Sequence, residues 1–110
     1  MPLIFFALLF AVLGAAVGLI SPLTIPATYA RYTAVALLAA VDSIFGAYKA
    51  YLSGNYQSRV FVSGLLTNMA LAGGLTYAGD QLGVDLSIAA IVAFGVRIFN
   101  NLGVIRRHYL

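Results

Sequence analysis

The chain has 110 residues, of which 63% are hydrophobic and 8% charged, with a net charge of +3. A typical soluble domain is about 45–50% apolar and about 25% charged, so this composition indicates a membrane protein with room for one domain. Its six basic residues are scattered, which argues against nucleic-acid binding. With no cysteine and only one histidine, the chain offers no disulfide framework and no histidine cluster for a metal.

The apolar residues fall into four segments, which we predict to be transmembrane helices at residues 3–20, 27–52, 60–78 and 86–105. A helix needs about 20 mainly apolar residues to cross a bilayer. The first segment has an alternative interpretation as a signal peptide. It lacks a basic n-region and further apolar segments follow it, so a retained helix is favoured. The predicted fold class is all-α, an integral membrane protein with short loops.

Short polar or proline-containing segments separate the predicted helices. Pro22 and Pro26 interrupt the helical pattern between the first two. The segments SGNYQSR, residues 53–59, and GDQLGVD, residues 79–85, form the other two connections. Gly79 is the expected C-cap of the third helix.

Small residues mark two surfaces suited to close helix packing. Gly14 and Gly18 form a GxxxG pattern in the first helix, and Ser43 and Gly46 belong to a small-residue face of the second. Small side chains let two helix backbones approach closely within a bilayer.

The distribution of charge predicts an orientation. Four spans place both termini on one side of the membrane, together with Lys49, Arg59, Arg106 and Arg107. Arg31 lies on the opposite side with Asp80 and Asp85. Because basic residues concentrate in cytoplasmic segments, we predict that both termini are cytoplasmic. We expect the two acids to be solvated groups at helix ends, with weak cation binding as a less favoured alternative.

Polar residues near the middle of three predicted spans form an expected intramembrane cluster. Asp42 and Arg97 lie about 14 Å and about 17 Å from the start of their apolar segments, at about 1.5 Å per residue. In a hydrocarbon core of about 30 Å, both lie near the midplane, as does Asn68. We therefore predict an Asp42–Arg97 pair, with Asn68, Asn100 or Asn101 supplying the remaining hydrogen bonds.

This polar cluster has three interpretations. The favoured one is structural, since an ion pair with amide neighbours fixes the register of the helices. The second is a proton, ion or substrate pathway. The third is a contact with a partner subunit. Three acids and one histidine leave no catalytic triad, carboxylate dyad or metal-ligand spacing, so we expect neither enzymatic activity nor a cofactor.

The strings TIPATYARY, VDSIFGAYKAYLSG, GDQLGVDL and VAFGVRIFNNLGVIRR resemble the small basic protein (Sbp) family. The resemblance covers nearly the whole chain after residue 20. It implies a small bacterial inner-membrane protein without an assigned activity, often encoded near cell-division genes in Gram-positive bacteria.

Two classes of function follow. The first is a structural or interaction subunit of an envelope or cell-division complex, whose partners are other membrane proteins, or further copies of itself, in the lipid bilayer. The second is a small oligomeric transporter or channel that uses the Asp42/Arg97 polar cluster. Small multidrug-resistance exporters resemble this chain only in size, because their defining carboxylate lies in the first span, which is uncharged here.

Overall fold

A computed structural model describes residues 2–110, which form four helices: α1 (Leu3–Ile20), α2 (Ala27–Leu52), α3 (Ser58–Leu82) and α4 (Ser87–Tyr109). These residues include no β-strand. By length and composition, each helix is able to cross a membrane. The all-α class with four helices is confirmed, and α1 and α2 begin and end at the predicted residues.

The third helix is longer than predicted because Gly79 lies inside it and does not cap it. The C-cap is Gly83, which adopts a left-handed conformation with φ 75° and donates its N–H to the carbonyl of Gly79. Glycine is favoured there because it carries no Cβ penalty at positive φ. Gly79 serves a different purpose. A Cβ at this position would lie 2.8 Å from the backbone nitrogen of Leu86 and closer still to the carbonyl of Val84.

The second helix is the centre of the bundle. It packs along both α3 and α4, whereas those two helices contact each other much less. One buried apolar cluster joins the three helices, and it consists of Val35, Ala39, Ala72, Ala90 and Phe94. Three of its five members are alanines, and small side chains of this kind let helices approach closely.

Within residues 2–110, the buried and partly buried side chains of the first helix all lie in its first two turns. Ile4 is fully buried against α2 and α3, and its N–H donates to the Tyr56 hydroxyl at 3.1 Å. Phe5 meets Tyr51 edge to face, with ring centroids 5.0 Å apart. Residues 9–20 are exposed throughout. More than half of α1 therefore extends beyond the contacts that hold its first turns.

Candidate functional site

Three helices meet at the carboxylate of Asp42, which lies in the interior of α2 and is completely buried. Arg97 of α4 places Nη2 3.3 Å from Asp42 Oδ2, so the predicted pair is present within a single chain. Asn68 of α3 places Nδ2 3.4 Å from the same oxygen and also donates to Ser43 Oγ at 3.1 Å. The carboxylate thus links α2 to both of its neighbours.

The two members of the pair have very different surroundings. The Asp42 side chain is 0% exposed, whereas the Arg97 side chain is 59% exposed. Asp42 Oδ1 is also buried, and no group in residues 2–110 donates a hydrogen bond to it. Since a buried polar atom without a partner is costly, the carboxylate depends heavily on the contacts made by its other oxygen.

A cavity of about 490 Å³ opens beside the pair, and we call it the polar groove. Residues of α2, α3 and α4 line it, together with residues 55–57 of the turn between α2 and α3. Its charged and amide side chains are Asp42, Lys49, Asn55, Gln57, Asn68, Arg97, Asn100 and Asn101. The groove therefore runs from the turn at the end of α2 to the ion pair.

Of the three amides predicted to complete the pair, only Asn68 does so. Asn100 and Asn101 line the polar groove, but within the described chain neither hydrogen-bonds to Asp42 or Arg97. The prediction offered the three amides as alternatives, so the contact made by Asn68 fulfils it. Asn101 is buried and faces α2, with Nδ2 3.6 Å from the position that a Cβ on Gly46 would occupy.

The predicted packing residues separate into two groups. Ser43 and Gly46 lie where α2 faces Asn68 of α3 and Asn101 of α4, respectively. Gly14 and Gly18 of α1 have no atom of the described chain within 4 Å of a Cβ placed on them. The GxxxG pattern therefore makes no close approach to another helix of this chain, and its contact with a partner stays a prediction.

A second polar cluster joins the start of α2 to the end of α3. Asp80 lies in the last turns of α3 and accepts hydrogen bonds from Arg31 and, at 2.7 Å, from the Tyr32 hydroxyl. Asp85 accepts one from Ser87 and lies 3.9 Å from Arg31 Nη1. Both acids are exposed, as expected for solvated groups at helix ends, but both also lie within ion-pair distance of Arg31, which the expectation did not include.

Arg31 and Tyr32 are members of this second cluster that the sequence analysis missed. The signal was available, since the predicted topology already placed Arg31 at the same end of the bundle as residues 79–85. An arginine at that end of the bundle both marks the side of the membrane and needs an acidic partner, and only the first of these two properties enters the prediction of orientation.

The fold and the polar groove define a small all-helical protein whose four helices are each able to cross a membrane. A family described as "Protein of unknown function (DUF1290)" matches residues 25–110, and the chain belongs to this family. No solved structure matches it.

Two relatives show how far the similarity extends. The chain is 52% identical over 99 residues to a protein of Bacillus subtilis named "Small basic protein", covering 90% of this chain and 82% of that protein. It is 40% identical over 96 residues to an uncharacterized protein of Mycobacterium tuberculosis, covering 86% and 79% respectively. The resemblance to small basic proteins is therefore confirmed.

Proposed function

We propose that the protein is a non-enzymatic subunit of the bacterial cell membrane that joins other membrane proteins, or further copies of itself, within the bilayer. In this proposal the four helices cross the membrane and both termini are cytoplasmic, with Lys49, Arg59 and the basic residues of the last turn of α4 on the inner side. The envelope or cell-division setting comes from what the family resemblance implies.

The observation that carries this proposal is that the other helices leave most of α1 exposed. Residues 9–20 are exposed, although they form an unbroken apolar helix that contains Gly14 and Gly18. Lipid alone covers an apolar helix adequately. However, a GxxxG face exposes backbone that packs best against a second helix, through van der Waals contacts. Ala11 and Ala15 lie on the same side of α1 and extend this small-residue face by one turn.

Cross-linking from α1 tests this proposal, because the natural chain contains no cysteine and each variant then carries a single thiol. Ala15→Cys places the thiol on the small-residue face, and Ala16→Cys places it about 100° further round the helix as a matched control. In native membranes, a thiol-to-amine cross-linker should capture a partner, or a second copy, mainly from residue 15. Mass spectrometry identifies the captured chain.

A second experiment removes the surface. Gly14→Leu with Gly18→Leu should shift the complex to a smaller size on native gels in mild detergent, with helicity unchanged. Equal cross-linking from both cysteine positions, or an unchanged complex in the double leucine variant, would contradict the proposal.

A transporter or channel is the second candidate function, and the polar groove favours it. The groove reaches a carboxylate well inside α2, as a solute or proton pathway would require. The double variant Asp42→Asn with Arg97→Gln separates the two functions. If the pair only fixes helix register, the folded double variant should still complement a deletion strain. A pathway predicts folded protein without complementation, because the titratable carboxylate is gone.

A further inference from the structure

The polar groove carries more positive than negative charge. Lys49 and Arg97 line it, and Asp42 is the one acid among its lining residues. That acid already faces Arg97, whereas Lys49 forms no ion pair within residues 2–110. The two cations belong to different helices, α2 and α4. Lys49 lies two turns along α2 from Asp42, a distance of about 10 Å at about 1.5 Å per residue.

Hydrogen-bond donors are concentrated in the same place. Nη2 of Arg97 contacts Asp42, and the Arg97 side chain lines the groove and is 59% exposed, so its other guanidinium donors are available to a further partner. Four carboxamides add N–H donors, namely Asn55, Gln57, Asn100 and Asn101. An arginine that is this exposed far inside an apolar helix needs a polar partner or water, since hydrocarbon would cover it at high cost. The volume of about 490 Å³ falls within the range of small-ligand sites, about 300–1,000 Å³.

We propose that the polar groove binds a phosphoryl anion between Lys49 and Arg97, presented either by an anionic phospholipid headgroup or by a small soluble phosphate ester. A phosphoryl group accepts several hydrogen bonds at once, and both guanidinium and ammonium groups bind it well. Basic pockets between transmembrane helices on the cytoplasmic side are suited to anionic headgroups. Val60 and Phe61 line the groove beside the amides and provide apolar contacts for the carbon skeleton of either ligand.

This inference is independent of the proposed partner surface on α1, which lies outside the groove. A negative result for the partner surface therefore does not contradict the anion site, and a negative result for the anion site does not contradict the partner surface. The inference also holds whether the groove serves a structural subunit or a transporter, because it concerns what binds in the groove.

The first experiment compares three additives on the full chain, purified in a non-ionic detergent. Thermal unfolding is followed by circular dichroism with dioleoyl phosphatidylglycerol, dioleoyl phosphatidylcholine or sn-glycerol 3-phosphate. The anionic lipid or the soluble ester should raise Tm in a concentration-dependent way, since a ligand that binds only the folded state stabilises it. A rise with the lipid alone identifies a headgroup site, and an equal rise with the ester identifies a soluble ligand. If neither exceeds phosphatidylcholine, the proposal is overturned.

Two variants locate the binding. Lys49→Gln should weaken the apparent affinity about fivefold, the effect of one basic residue near a headgroup. Arg59→Gln removes a basic residue outside the groove and should leave the affinity unchanged. Equal loss in both variants would indicate general attraction to charge and would refute a site in the groove.

A steric variant keeps the test decisive if Lys49→Gln folds poorly. Gly64 lines the groove, and a Cβ there would meet no atom within 4 Å, so Gly64→Leu should fill the cavity without displacing backbone. Gly74→Leu is the matched control, since its position on α3 is equally open but lies outside the groove. Binding should fall at least tenfold in Gly64→Leu alone. Unchanged binding in that variant would overturn the proposal.

Discussion

The ion pair between Asp42 and Arg97 predicts that its two single variants differ in stability. Arg97→Gln leaves a fully buried carboxylate without its cation, and breaking a buried pair in this way costs about 3–5 kcal/mol. Asp42→Asn leaves a guanidinium that is already 59% exposed to the groove. The stability lost in Asp42→Asn is therefore closer to that of one hydrogen bond to a charged group, about 1.5–3 kcal/mol. We therefore expect Arg97→Gln to be the more destabilising by about 2 kcal/mol.

The assay is reversible unfolding in mixed micelles by increasing mole fraction of SDS, followed by circular dichroism. Both single variants and the double variant are measured under identical conditions, which gives a double-mutant cycle. Residues in direct contact typically show an interaction energy of about 0.5–3 kcal/mol. The double variant should therefore lose less stability than the sum of the two singles.

Two results would refute this reasoning. An additive double variant would show that Asp42 and Arg97 do not interact in the folded protein. An Asp42→Asn variant that is as unstable as Arg97→Gln would show that exposure in the groove does not lower the cost of leaving the guanidinium unpaired. In that case Arg97 must be covered by something other than water.

The remaining predictions concern the turns and the orientation. Gly79→Ala should be destabilised by more than 2 kcal/mol in the same unfolding assay, because its Cβ would collide with backbone of the following turn, whereas Gly74→Ala should be neutral or stabilised. Arg31→Gln should lower the free energy of unfolding by about 1 kcal/mol or less, because its ion pairs are partly exposed, and the effect should shrink in high salt. A larger loss that does not depend on salt would show that the pairs are desolvated. Reporters inserted within residues 54–58 and after the C-terminus should report a cytoplasmic location, and a reporter within residues 83–86 should report the opposite side. A C-terminus on the opposite side of the membrane from the N-terminus would exclude four spans.

Hydropathy was sufficient to predict the four helices because each is a long apolar segment bounded by prolines, glycines or polar residues. Depth counting was sufficient to predict the ion pair. Two opposite charges at similar depth in one chain have few other partners, and a rise of about 1.5 Å per residue locates each of them. Asp42 and Arg97 were therefore found without knowledge of helix rotation.

Features that depend on helix rotation and on backbone conformation could not be read in the same way. Gly79 and Gly83 are both reasonable C-caps in sequence. Only the backbone conformation shows that Gly83, at positive φ, is the cap, and only the close approach of the following turn to α3 explains the glycine at position 79. Similarly, Asn100 and Asn101 follow Arg97 by about one turn. Whether their amides point toward the carboxylate or into the groove is decided by how α4 packs on α2.

The unequal exposure of the ion pair bears on its role. Fixing helix register requires only that Asp42 be held by both neighbouring helices, and Arg97 Nη2 with Asn68 already achieves this. Burying the guanidinium as well would strengthen the attraction between the charges, but it would also incur the cost of removing the guanidinium from water. In the structure, Arg97 is 59% exposed and lines the same cavity as Lys49. Arg97 therefore holds α4 to α2 through Asp42, and its exposure in the groove leaves it accessible to the anion that we propose to bind there.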